Sequence, residues 1–368
     1  MENMTATRLL NEALRIREEQ GAEAAYRFVR QYSIPDETKG SGPEGSLAEK
    51  EAAAPAAGDA RQANLLYALA AASGRESEAM AVLREAVLEQ GFWYPADYLL
   101  EDEDLEPLRG MDGFAELADL CAKREEAALA NAAPGLAVLG TGGSVGGAFG
   151  RPADEVEAAK AESAAAKAGT EESAAEAAAR PLLLALHGDQ ENERDSAPFW
   201  GTASRAGWTV GLVRSSQTRF SDAYGWDDID LGAAELREHL ETLRGSAPEP
   251  GGAPVALGAY SAGAEVALNA LLHDELPADG LVLVSPWLDE PGEWVEAMDR
   301  LEGRTPRFAL IAGAEDAEGR EAMESLVEAM QEAGLEFRLE LVPGMGHDYP
   351  ADFAARLDAA LAWIAEGR

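Results

Sequence analysis

From residue 181 onward the chain repeats one pattern. Short, mostly apolar runs occur at LLLAL (182–186), WTVGLV (208–213), PVALGA (254–259), LVLVS (281–285), FALIAG (308–313) and LEFRLELV (335–342). Helical runs separate most of them, around 197–206, 231–244, 262–273, 319–333 and 351–366. A strand that is apolar on both faces has no side to turn toward water, and parallel neighbours need a long crossover, usually a helix. The alternation therefore predicts a mostly parallel sheet with helices on both faces, an α/β architecture. In such sheets functional groups gather beyond the carboxyl ends of the strands, so those loops are where chemistry is to be sought.

Four strand ends carry reactive or polar residues. They are LHGDQEN (186–192), GAYSAGAE (258–265), IAGAEDAEG (311–319) and VPGMGHDYP (342–350). In chain order they offer a backbone turn after His187 and Gly188, a serine, an acid pair and a histidine. A serine hydroxyl is almost un-ionised at neutral pH and attacks an acyl carbon only if a base takes its proton. Histidine suits that role because its unperturbed pKa, about 6.5, lies near working pH. A carboxylate fixes the ring's tautomer, and two backbone N–H groups must meet the developing oxyanion. Of the four histidines, His239 and His273 sit on helical runs, where a solvated or helix-end place is expected. His347 lies in a glycine-flanked loop after the last strand. The acid is Asp316, Glu315 or Asp289 on position alone, and the paired Asp227 and Asp228 read as a helix cap.

Residues 181–368 resemble α/β-hydrolases of the predicted-esterase kind, similar to carboxylesterases, acyl-protein thioesterases and dienelactone-hydrolase-like proteins. The resemblance implies Ser261 as nucleophile, Asp316 as acid and His347 as base. It places the oxyanion amides at Ala262 and at Asp189 or Gln190, and gives His187 a structural role. It implies hydrolysis of a small to medium acyl ester or thioester through an acyl-serine, with no metal or cofactor. SSQTRFSDAYGWDD (215–228) resembles the loop after the second strand of these proteins. Two departures stand out. The elbow G-x-S-x-G reads Ala259-Tyr260-Ser261-Ala262-Gly263, and a carboxylate at Asp189 would oppose an oxyanion unless turned away. Aromatics near the strand ends (Phe199, Trp200, Tyr224, Trp226, Tyr260, Trp287, Trp294) divide between core and acyl pocket.

The first part of the chain is different. Residues 5–32 carry apolar positions at near-helical spacing. Residues 61–90 hold two amphipathic runs, each stopped by glycine (Gly74, Gly91). With DEDLEPLRGMDGFAEL after them, residues 61–121 resemble a tetratricopeptide unit. Residues 34–60 and 142–180 are low in complexity and read as a flexible insert and a linker. The run GLAVLG (135–140) is expected as a strand pairing with the next one. The expected organisation is a helical region over 1–130, a boundary strand and linker over 131–180, and a catalytic domain over 181–368.

Composition narrows the function. A net charge of −38, from 68 acids against 30 bases, repels phosphate backbones and anionic membranes. GTGGSVGG lacks the G-K-[ST] ending of a phosphate loop. All five lysines precede residue 181, which excludes a catalytic lysine from the second half. The lone Cys121 sits on a helical run as a structural thiol, and no Cys/His cluster has zinc spacing. The charged N-terminus is unlike a signal peptide, and no apolar run is long enough to span a membrane, so a cytoplasmic protein is expected. Two other readings are a protein-binding module working through the helical region, with a degenerate hydrolase domain, and, ranked lower, a serine peptidase.

Overall fold

The structure, a computed structural model, describes residues 6–33, 59–140, 180–244, 252–273, 276–289, 294, 297–301 and 305–367. The expected insert over 34–60 lies outside the described residues except at 59–60. The expected linker over 142–180 does so except at 180, as does GTGGSVGG beyond Gly140. The chain divides into two compact units, Met1–Ala132 with Thr218–Tyr224, and Ala133–Gln217 with Gly225–Arg368.

The first unit is helical: α1 (Ala6–Gln20), α2 (Ala22–Ser33), α3 (Ala60–Ala72), α4 (Glu76–Arg84), α5 (Ala96–Glu101) and α6 (Phe114–Ala130). Asp59 starts α3 by accepting the Gln62 N–H at 2.8 Å, and α4 runs into a π turn over Glu85–Glu89. Their apolar faces bury Leu66, Tyr67, Leu83, Tyr94 and Phe114 in one core. Cys121 is fully buried there, and burial pushes its thiol up, as suits a structural role.

A hairpin, β4 (Thr218–Phe220) and β5 (Ala223–Tyr224), completes this core. Phe220 and Ala223 are buried in it, with the Phe220 ring 5.7 Å from Tyr94. Trp93 donates its N–H to Ser221 Oγ at 2.8 Å, and Ser221 returns its own N–H to the Trp93 carbonyl at 3.2 Å. Seven residues of the segment that resembles a hydrolase loop thus belong to the helical unit. Local sequence could not show this, because RFSDAY carries only a generic turn pattern.

The second unit is built on one seven-stranded sheet in the order β1-β3-β2-β6-β7-β8-β9. The strands are β1 (Gly135–Leu139), β2 (Leu182–Leu186), β3 (Thr209–Arg214), β6 (Val255–Tyr260), β7 (Gly280–Val284), β8 (Arg307–Gly313) and β9 (Phe337–Val342). All neighbours are parallel except β1, which runs antiparallel to β3. The expectation that GLAVLG pairs with the next strand is corrected here, because β2 is already flanked by β3 and β6. The crossover helices are α7 (Glu193–Trp200), α8 (Ile229–Arg244), α9 (Gly263–Leu272) and α10 (Ala317–Glu332), and α11 (Phe353–Glu366) follows the last strand.

The helical run expected at 197–206 starts earlier, at Glu193. Asn192 and Asp195 form a capping box there, and Gly201–Ala206 tightens into a 3-10 turn. Asp228 accepts the Leu231 N–H at 2.9 Å and caps α8, as its position suggested. Every residue of β2, β6 and β7 is buried, the burial that a parallel sheet covered on both faces requires. His239 departs from expectation: it lies on α8 but is buried, and burial pushes its imidazole below the usual value. His273 is exposed at the C-terminus of α9.

Candidate active site

Strand β6 delivers Ser261 and helix α9 leads away from it. Between them Ser261 adopts φ 51°, in the left-handed region that a β-carbon ordinarily disfavours. The conformation is held on several sides. The Ser261 N–H donates to the Val284 carbonyl at 3.1 Å, and the Ser261 carbonyl accepts from Ala264 and Trp287. The glycine at 263 is needed for close approach, since a β-carbon there would sit 2.7 Å from the His187 carbonyl oxygen. The alanine at 259 is accommodated in the strand itself, fully buried between Leu186 and Leu283.

The loop after β9 brings His347 to the serine. His347 Nε2 lies 2.8 Å from Ser261 Oγ, and His347 Nδ1 lies 2.9 Å from Asp316 Oδ2. Asp316 follows β8 and caps α10, its Oδ1 accepting the Gly319 N–H at 3.1 Å. Burial works against a charge on Asp316. The hydrogen bond from His347, the nearness of that imidazole and the Gly319 amide outweigh it and hold the carboxyl below its ordinary value. An ionised carboxylate only accepts, so it places the imidazole proton on Nδ1 and leaves Nε2 to accept from Ser261 Oγ. Of the other acids considered, Glu315 and Asp289 are exposed, and Asp289 uses its N–H on Glu265 at 2.7 Å.

The loop after β2 forms a tight turn. Glu191 donates its N–H to the Gly188 carbonyl at 3.3 Å, and its buried carboxylate accepts the Gly188 N–H at 2.9 Å. Gln190 has φ 58°, and Asp189 is exposed, 3.5 Å from the Gln190 amide nitrogen. Beneath this turn His187 is fully buried. The Ser215 N–H donates to its Nε2 at 3.3 Å, which puts the proton on Nδ1, 2.6 Å from the Gly188 carbonyl. Trp226 packs against His187 with the rings tilted and centroids 4.7 Å apart, and donates Nε1–H to its carbonyl at 2.9 Å.

Other contacts carry no signal in the sequence. The hydroxyl of Tyr260, the neighbour of Ser261, donates to the His347 carbonyl at 3.1 Å. The Tyr260 ring stacks on Tyr349 at 4.4 Å and closes over Gly188, where a β-carbon would lie 2.9 Å from it. Ser285, buried at φ 40°, donates its hydroxyl to the Asp348 carbonyl at 3.1 Å. The aromatics now separate. Trp200, Trp226, Tyr260 and Trp294 are core, Tyr224 belongs to the helical unit's hairpin, and Trp287 is exposed beside the elbow, its N–H on the Ser261 carbonyl.

The sheet order, the strained serine turn and the acid and histidine loops that follow it define an α/β-hydrolase fold preceded by a helical region. The chain is 31% identical to an uncharacterized protein from Bacillus cereus ATCC 10987, over 99% of this chain and 100% of that one, with a TM-score of 0.48. By that full-length identity the chain belongs to the same family as that protein, whose name states no activity. Residues 46–129 match the family described as A/B hydrolase-like, N-terminal domain. That description does not show the tetratricopeptide likeness expected for residues 61–121. A carboxylesterase from Mesorhizobium loti is 20% identical over 50% of this chain and 91% of its own, with a TM-score of 0.39. A dienelactone hydrolase from Anabaena variabilis ATCC 29413 is 17% identical over 50% and 87%, also at 0.39. No curated protein matches the sequence. Among the described residues no helix is long and apolar enough to cross a membrane, and no His/Cys/Asp/Glu group could hold a metal.

Proposed function

We propose that this protein is a serine hydrolase that cleaves a carboxylic ester or thioester. The observation that carries the reading is the hydrogen-bonded line from Ser261 Oγ to His347 to Asp316, at 2.8 and 2.9 Å, ending on a serine held in a left-handed turn. In this reading Ser261 attacks the acyl carbon while His347 Nε2 takes the hydroxyl proton. The amides of Ala262 and of Asp189 or Gln190 stabilise the tetrahedral oxyanion, and the N-terminus of α9 adds its dipole. His347 then protonates the departing alcohol or thiol, which leaves an acyl-serine. Water, deprotonated by His347, attacks that ester, and the proton returns to Ser261 as the acid is released. Asp316 keeps the ring in its working tautomer and stabilises the imidazolium formed at each step. Residues 181–368 carry this chemistry, apart from the hairpin that joins the helical core.

The test is labelling with a fluorophosphonate probe, with turnover of p-nitrophenyl acetate and butyrate measured alongside. Wild-type protein should label and turn over both esters, and Ser261→Ala should do neither while keeping its melting temperature. A folded wild-type protein that does not label would refute the reading.

A further inference from the structure

β9 closes one end of the sheet, and among the described residues no strand pairs with its outer edge. A strand edge presents unpaired N–H and C=O groups, which proteins normally blunt or cover. Here the edge carries an apolar face. The register pairs Phe308 with Phe337, Leu310 with Leu339 and Ala312 with Leu341, so these β9 residues share the face of the core under α10. That core covers β8 but runs out at the edge, where Leu339 is 38% and Leu341 43% exposed. The other face is charged. Arg338 lies 4.4 Å over the Trp363 ring of α11, and Glu340 pairs with Arg356 of the same helix. Among the described residues Arg338 makes no ion pair, although the chain holds 68 acids and 30 bases.

We propose that β9 pairs antiparallel with β9 of a second copy of this chain, centred on Leu339, to form a two-fold dimer with a continuous sheet. In a two-fold antiparallel pair, directly opposed residues share a face, so each register is centred on a residue. A register centred on Leu339 sets Arg338 opposite the partner copy's Glu340 on the charged face. On the other face it sets Phe337 opposite Leu341, with Leu339 meeting its own copy. Moving the centre to Arg338 or Glu340 sets like charges directly opposite, which is destabilising. The segment is thus complementary to itself in this register, a property that an unrelated partner would not require. The charges are not acting as edge guards, because both are drawn onto α11 and leave the leucine face bare.

Each copy carries a net charge of −38, so long-range repulsion opposes the dimer. Sedimentation equilibrium on the full chain should therefore be run in about 0.5 M salt, where the screening length is roughly 4 Å. Wild-type protein should dimerise. Arg338→Glu and Glu340→Arg, each alone, set like charges at both symmetry-related pairs and should raise the dimer Kd at least about tenfold. An equimolar mixture of the two variants restores opposite charges at both pairs and should form a heterodimer. Leu339→Lys, at an exposed position that the monomer fold tolerates, should also give monomer. A wild-type monomer up to about 100 µM would overturn the proposal, as would a dimer that these changes leave intact, or folded variants that stay monomeric when mixed.

Discussion

Asp316 serves two groups with two oxygens, and Asp316→Asn separates those services. Oδ1 accepts the Gly319 N–H and caps α10, while Oδ2 accepts from His347 Nδ1. An asparagine has one accepting oxygen. If that oxygen keeps the cap, the amide NH2 faces His347 Nδ1 and can only donate to it. Nδ1 must then be the unprotonated nitrogen, and Nε2–H points at Ser261 Oγ, so His347 cannot accept the serine proton as the proposed mechanism requires. If the oxygen turns to His347 instead, the NH2 meets the Gly319 N–H and the cap is lost, at about 1 kcal/mol. That cost alone biases the site about fivefold toward the inactive tautomer. The loss of the imidazolium's counter-charge adds to it, and in the serine-protease template the wrong tautomer lowers kcat about 10⁴-fold.

The expected kcat loss is therefore about 10³- to 10⁴-fold, or about 4–5.5 kcal/mol on the barrier, with KM little changed. Asparagine is a good N-cap, so the melting temperature should fall by no more than about 2 °C. The assay is p-nitrophenyl butyrate turnover with a thermal melt on the same sample. Activity within about threefold of wild type would refute the tautomer argument, and a collapse in melting temperature would refute the cap argument. At acid pH the same residue affects stability. Its folded-state carboxyl lies below the unfolded value, so its contribution is present above the unfolded pKa and is lost as pH falls through the folded one.

Other expectations follow from single contacts. Tyr260→Phe keeps the ring on Tyr349 but removes the donor to the His347 carbonyl, and should lower kcat about tenfold for about 1 kcal/mol of stability. An unchanged kcat would show that the base loop needs no tether. Phe220→Ala should destabilise the helical unit by about 3 kcal/mol, seen in its thermal or urea transition, because the side chain is buried in that unit's core. A transition unchanged from wild type would mean that the hairpin is dispensable. Burial raises the Glu235 carboxyl above its ordinary value, against the Ser216 contacts that lower it. Stability from that group is thus present below the unfolded pKa and lost as pH rises through the folded one. Glu235→Gln keeps an acceptor for the Ser216 N–H and should raise the melting temperature at pH 7 by about 2 °C, a gain that shrinks toward pH 5. A gain that does not vary with pH would contradict the charge argument.

The sheet was legible because its signal is local. Apolar runs such as LLLAL and PVALGA need burial on both sides wherever they sit, and the helical runs between them dictate parallel crossovers. The same periodicity put the loops that carry Ser261, Asp316 and His347 at strand ends, where α/β sheets keep their chemistry, while the roles of nucleophile, acid and base came from the hydrolase resemblance. The order of strands across the sheet was not legible. Each apolar strand suits any interior slot, and only packing sent β1 to the outer side of β3. The hairpin at 218–224 was hidden for a related reason, since Phe220 and Ala223 are apolar in any context and their partner Tyr94 lies more than a hundred residues earlier. His239 was misplaced because helical periodicity does not say which helix faces end up covered.

Sequence by itself therefore determined the class of fold, the serine, acid and histidine loops and the helical start of the chain, because each depends on residue type and spacing within a few turns. Tertiary structure set Asp316, the acid that the hydrolase resemblance implied, against His347 and left Glu315 and Asp289 exposed. It also recruited the Tyr260 and Ser285 hydroxyls to the histidine loop and took the hairpin at 218–224 into the helical core. Those outcomes depend on distances between residues far apart in the chain, which are set only when the elements pack.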